Sequence, residues 1–259
     1  MNRKINEIKR IARGNLTTRY KIPMMAILFA YLLGGIINMP FSESFNNTQT
    51  TGNATIYLLA SILISLLMSI LICGQVFIHL TLARLGQPKF SDIFIYFKNQ
   101  PDRYIIGALI YFAIMLSAGL PFYLLSLISD YVFANSLEIL LTVNIILLVL
   151  SMVACFVAYV SLTLFPFYLV DRQEEGVIAC CRIARQKAKG QMKRMLLTHL
   201  SFIGWSILGG LSFGIGFVWV IPYYTQTLTV LYLDISGELS TIEYQKIKPE
   251  NVEKREATV

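Results

Sequence analysis

Charge is what this sequence has least of. Only 14% of its 259 residues are Asp, Glu, Lys or Arg, whereas a soluble domain carries about 25% because its surface needs them. With 56% apolar residues and a mean hydropathy of +0.62, a soluble globular enzyme is excluded. Histidine is scarcer still. His79 and His199 stand far apart without carboxylate neighbours, a poor basis for a metal site. The four cysteines include no CxxC spacing, which excludes a disulfide framework or a zinc ribbon. The deep apolar stretches contain no Asp, Glu, Lys or Arg. Ionisable residues within a membrane mark function by default, so their absence argues against proton-coupled transport and carboxylate catalysis.

What the chain does have is long apolar runs, near Ile22–Phe41, Ile56–Leu80, Tyr104–Leu127, Leu137–Val170 and Met195–Leu233. A membrane span takes about 20 residues. All 22 Lys and Arg fall in four clusters: before Ile22, from Arg84 to Arg103, from Arg172 to Arg194, and from Lys246 to Arg255. The connectors Ser42–Thr55 and Ile128–Ser136 contain no Lys or Arg. A cytoplasmic N-terminus therefore puts every basic cluster inside and both basic-free connectors outside, the positive-inside asymmetry. No A-x-A-like site follows Pro40, so the first run reads as a span and not as a cleavable signal.

Met195–Leu233 is about twice as long as one span needs. Its centre, Gly209 to Gly216, is rich in helix-breaking residues. The pattern predicts two spans with a tight outside turn near Ser212–Gly216; the alternative is one long kinked helix with the tail outside. The expected fold is an all-α, polytopic membrane helix bundle of six transmembrane helices, with both termini inside. Its parts are a basic amphipathic N-terminal helix (1–21), a membrane domain (22–233) and a charged cytoplasmic tail (234–259).

Three inside segments have helical apolar periodicity and read as helices lying on the membrane. The first carries Ile5, Ile8, Ile11, Ala12 and Leu16. The second carries Phe90, Ile93, Phe94 and Phe97. In the third, Val177, Cys181, Ala184, Ala188 and Met192 share one face. Its cations Arg182, Arg185, Lys187, Lys189, Lys193 and Arg194 are candidate contacts to the anionic inner leaflet, at about 1 kcal/mol each. No aromatic-plus-basic stacking pattern accompanies them, so nucleic acid is not an expected partner.

Few residues could do chemistry. There is no HExxH or GxSxG, and Glu174-Glu175 lacks the Arg four positions on that an EExxxR protease motif needs; the next is Arg182. No catalytic residue, metal site or cofactor is expected. The intramembrane polar candidates are Gln75, His79, Asn144, His199 and Gln226. They suit either interhelical hydrogen bonds, worth about 0.6–2 kcal/mol, or a path for a neutral solute. Gly210 and Gly214 read as turn chemistry. Cys180-Cys181 is a vicinal thiol pair with redox or acylation chemistry as its alternative to a structural role.

Several strings carry a family resemblance: Arg10-Ile11-Ala12-Arg13-Gly14-Asn15-Leu16, Arg84-Leu85-Gly86-Gln87-Pro88, Ser201-Phe202-Ile203-Gly204-Trp205 and Pro222-Tyr223-Tyr224. Together they resemble an integral-membrane family of low-GC Gram-positive bacteria, catalogued as domain of unknown function nine-seven-five. That family is distantly similar to the membrane domain of some glycerophosphodiester phosphodiesterases. The resemblance implies six spans and a bacterial plasma membrane, and brings no catalytic residues. Gly204, Trp205, Pro222 and Tyr223 are expected to shape the bundle, the small residues by close approach and the aromatics at interfaces. The expected role is non-catalytic binding or assembly with a membrane-protein or peptide partner, as in toxin immunity or as an export or envelope helper. The alternative is a permease for a neutral or amphipathic solute.

Overall fold

The computed structural model describes residues 3–47, 51–133 and 135–242, and every regular element among them is helical. The basic residues of the tail from Lys246 to Arg255 lie outside the described residues. The chain divides into two compact units, one of residues 1–105 with 197–259 and the other of residues 106–196.

The first unit opens with α1 (Ile5–Leu16), then α2 (Lys21–Asn47) and α3 (Thr51–Ala83). A 3-10 turn, Phe90–Phe94, leads into the short α4 (Ile95–Lys98) and the start of α5 (Pro101–Val132). α2 and α3 pack along each other around Ala26, Leu71 and Ile78, and Ile93 of the 3-10 turn completes this core. Gly74 makes that possible: a Cβ there would run into the backbone of Ile93. Phe29 is held edge-on by Phe90 and Phe94 at 5.7 and 5.4 Å.

The unit closes with the end of α9 (Met192–Leu200), then α10 (Ile203–Leu211) and α11 (Phe217–Ser236). α11 is the central strut. From Gln226 to Leu233 every side chain is buried, and the helix packs along both α1 and α3. At its end Gly237 takes φ +86°, a left-handed stop suited to glycine. Glu238, just beyond, pairs with Arg84 through two contacts of 2.6 and 2.7 Å. Asp234 lies 3.6 Å from Arg3. The loop after α3, the N-terminal helix and the residues just past α11 thus sit at one end of this unit.

The second unit holds the rest of α5, then α6 (Leu137–Leu162), α7 (Phe165–Asp171), α8 (Val177–Lys189) and the start of α9. Pro166 stands in the first turn of α7, where its missing N–H costs nothing. In the most apolar stretch of Pro101–Val132 6% of the residues are buried, and in that of Leu137–Asp171 none is. Side chains such as Leu141, Ile145, Leu148 and Met152 lie outward, and a surface so apolar requires lipid or another helix.

Four stretches are long and apolar enough to cross a membrane: Lys21–Met39, Thr55–Ala83, Pro101–Val132 and Leu137–Asp171. They match the first four expected spans. Met195–Leu233 does fold as two arms about a turn and not as one kinked helix, but the arms are not two long apolar helices. The first is broken between α9 and α10 at Ser201-Phe202, and the second has its C-terminal half inside the protein.

Candidate functional site

The three amphipathic segments are helical, and much of each apolar face packs against the chain itself, a partner that their spacing did not reveal. In α1, Ile8, Ala12 and Leu16, spaced i, i+4, i+8, are fully buried against α11 and α3. Ile93 of the second segment is equally buried. In α8, Cys180, Cys181, Ala184 and Ala188 are buried toward α7 and α6. What remains outward is cationic. Arg182, Arg185, Lys187, Lys189 and Lys193 are exposed, while Arg194 is half-buried and donates from Nη1 to Gln191 Oε1 at 3.0 Å. Burial raises the Cys181 thiol pKa, opposed by the Arg185 charge. A protonated, covered thiol suits packing better than redox or acylation chemistry.

The cations of α1 have a more specific arrangement. Lys9 Nζ lies 4.3 Å above the Phe202 ring and donates to the Ser201 carbonyl at 3.1 Å. Arg13 lies 5.7 Å from the Tyr223 ring centre, and the Tyr20 hydroxyl donates to the Trp219 carbonyl at 3.2 Å. Desolvation, and secondarily the Arg13 charge, lowers the Lys9 pKa. Burial, then Tyr223, raises that of Tyr20 against the pull of Arg13.

Beneath these cations the aromatics interlock. Phe202 meets Tyr223 at 5.1 Å and Tyr224 at 5.2 Å, and Trp205 stands edge-on to Tyr223 at 6.4 Å. His199 Nδ1 and the Tyr224 hydroxyl share a hydrogen bond of 2.6 Å. Cation–ring contacts contribute about 0.5–2 kcal/mol each, depending on desolvation, so the clamp fastens α1 to the base of the α10–α11 hairpin.

The remaining sequence candidates separate into two places. In the first unit, His79 of α3 and Gln226 of α11 bond Nδ1 to Oε1 at 2.7 Å. Both are buried, and the Nε2 atom of each has no partner among the described residues. Gln75, one turn earlier, is half-buried. In the second unit, Asn144 joins the two long helices: its Nδ2 donates to Asp130 Oδ1 at 2.8 Å and its Oδ1 accepts from Ser129 Oγ at 2.8 Å. Asp130, near the C-terminal end of α5, is therefore part of the α5–α6 joint.

The glycines are distributed differently from expectation. Gly204 and Gly210 have open space where a Cβ would stand, so neither supports close approach. Gly209 and Gly216 do: a Cβ on Gly209 would meet the Phe217 ring at 2.9 Å, and one on Gly216 would meet Ser212 Oγ at 2.6 Å and the Gly209 Cα at 3.0 Å. Ser212 Oγ ties the turn, accepting from the Gly216 amide at 2.8 Å and donating to the Gly209 carbonyl at 2.7 Å. Gly214 takes φ +86° at the tip, as the turn reading requires. Pro222 and Tyr223 are buried, and Trp205 is about half exposed.

A family model described as protein of unknown function (DUF975) matches residues 1–238. The chain belongs to this family. No curated protein and no solved structure matches it. Both sides of the clamp, α1 and the Ser201–Trp205 and Pro222–Tyr224 strings, lie inside the family segment. Three of the four strings that carried the resemblance meet in the clamp.

The His79–Gln226 bond has a measurable consequence. His79→Leu and Gln226→Leu each leave a buried polar partner unmatched, at about 1–3 kcal/mol. The double variant should cost less than the sum of the singles, with coupling of about 0.6–1.7 kcal/mol. Thermal unfolding in detergent of the four proteins closes the cycle; strictly additive losses would mean that the two side chains act independently.

Proposed function

We propose that this is a multi-pass protein of the bacterial plasma membrane that works by binding and assembly without covalent catalysis. It has both termini on the cytoplasmic side, α2, α3, α5 and α6 crossing the bilayer, and the basic face of α8 turned toward the anionic inner leaflet. The observation that carries the reading is the α5–α6 surface, apolar almost all round and covered by little of its own chain. Such a surface suits packing against a membrane-embedded partner. At about 1 kcal/mol per cation near anionic lipid, α8 holds that surface in register with the headgroups.

The partner role takes two forms, protection against a membrane-active peptide or help to an exporter or envelope system. Solute passage is the weaker reading. Its lining candidates bond to protein groups, His79 Nδ1 to Gln226 Oε1 and Asn144 to Asp130 and Ser129.

Expression in a strain sensitive to membrane-active peptides tests the first form. Survival is expected to rise with the wild-type chain and to fall back with Arg182→Glu, Arg185→Glu and Lys187→Glu combined. Unchanged killing across the peptides, together with normal secretion in a deletion strain, removes the proposal.

A further inference from the structure

We infer that the α10–α11 hairpin is a re-entrant element: it enters the inner leaflet from the cytoplasmic face, turns within it and returns to the same side. The inference rests on the membrane placement proposed above, with the N-terminus inside, and goes beyond it by assigning a depth and a lipid partner to one segment.

Height is set by α1. Its exposed Lys4, Arg10 and Arg13, with Arg19 just beyond, cannot enter hydrocarbon, so α1 marks the headgroup level. Along its length α1 is paired with α11, from Arg3 at Asp234 to Arg13 at Tyr223. The chain beyond Tyr223 toward Asp234 is thereby held beside a cationic helix and does not cross lipid. Tyr20, at the entry of α2, bonds Trp219, and Lys9 caps Phe202.

Only the segment between Phe202 and Trp219 is free to rise. At about 1.5 Å per residue, the tip at Phe213 stands about 16 Å above Phe202 along one arm and about 9 Å above Trp219 along the other. A hydrocarbon core is about 30 Å thick. The hairpin therefore reaches between about a third and a half of the way across, within the inner leaflet.

The tip has the chemistry for that depth. Phe213 is 98% exposed, Leu211 73% and Ile215 65%, and no charged residue occurs between Arg194 and Asp234. An aqueous turn would leave three large apolar side chains in water. Non-helical backbone within a membrane needs its polar groups satisfied internally. The turn does this: Phe213 N–H donates to Gly210 O, Gly214 N–H to Gly209 O, Ile215 N–H to Ser212 O, and Gly216 N–H to Ser212 Oγ. The partner this surface fits is the acyl-chain region of the inner leaflet, with the α1 cations on the headgroups below it.

The test uses single substitutions in the full chain, Phe213→Cys, Lys98→Cys and Ser136→Cys, with the wild type as blank. A membrane-impermeant maleimide is applied to intact cells and to inside-out vesicles. The Phe213→Cys variant should stay at the blank level from either side and react only after detergent. A nitroxide attached to its new thiol should also show the depth signature of the inner leaflet's acyl chains. Labelling of this variant from outside means a full crossing, and labelling from inside means a hairpin in water; either overturns the inference. Reaction of Lys98→Cys from outside, or of Ser136→Cys from inside, instead overturns the orientation on which it rests.

Discussion

Ala12→Asp is expected to cost about 3–5 kcal/mol, the range for leaving an uncompensated charge buried. Ala12 is fully buried in α1 between two equally buried neighbours, Ile8 and Leu16, where α1 meets α11 and α3. A carboxylate there must be desolvated or must push the helix away. Release of α1 would also free Lys9 from Phe202 and Arg13 from Tyr223. The companion substitution on the same helix should move the other way. Gly14 is exposed with open space at its Cβ position, so Gly14→Ala should gain up to about 1 kcal/mol of helix propensity. Thermal unfolding in detergent, read by loss of the monodisperse gel-filtration peak, measures both. Equal stability of the two variants would show that α1 is not packed on the hairpin strut.

Gly74→Leu is the second large effect. Overpacking a tight site costs about 1–3 kcal/mol and occasionally more. Here the obstacle is the Ile93 backbone and not a flexible side-chain end, so the loss should reach the top of that range or pass it. The 3-10 turn would then leave α3 and uncover the core of Ala26, Leu71 and Ile78. Proteolysis between Gly86 and Gln100 reports this directly and should accelerate in the variant. Gly35→Leu, at a helical position with nothing near its Cβ, serves as the control: proteolysis should be unchanged and melting should not fall.

Much of the architecture was legible because lipid imposes simple rules. The four long helices follow from uninterrupted apolar length, and the turn at Ser212–Gly216 follows from its glycines. The amphipathic helices were readable from spacing too. What spacing could not reveal was what their apolar faces meet. Ile8, Ala12 and Leu16 look the same whether the stripe faces lipid or α11, because both are hydrocarbon. The expected length of the last two spans fails for a related reason. Mean apolarity does not distinguish residues buried in lipid from residues such as Val230 and Leu231 buried in protein.

The clamp was only half visible. Phe202, Trp205 and Tyr223 stood out as strings, but Lys9 and Arg13 read only as part of a general basic leader. Their pairing with rings some 190–210 residues away in sequence needs the fold. Likewise His79 and Gln226 each read as a polar residue in apolar surroundings, and only the packing of α3 on α11 makes them a pair. Gly74 left no signal beyond being a glycine in a long apolar helix.

The coupling of α1 to α11 also constrains biosynthesis. Arg3 and Asp234 are 231 residues apart, so α1 is made long before the helix it packs on. At 5–20 residues per second, translation leaves α1 waiting about 10–40 s. Throughout that interval Ile8, Ala12 and Leu16 lack the part of their cover that α11 provides, and chains cut short before α11 never acquire it. Until α11 has been made, part of the apolar stripe of α1 therefore stays uncovered.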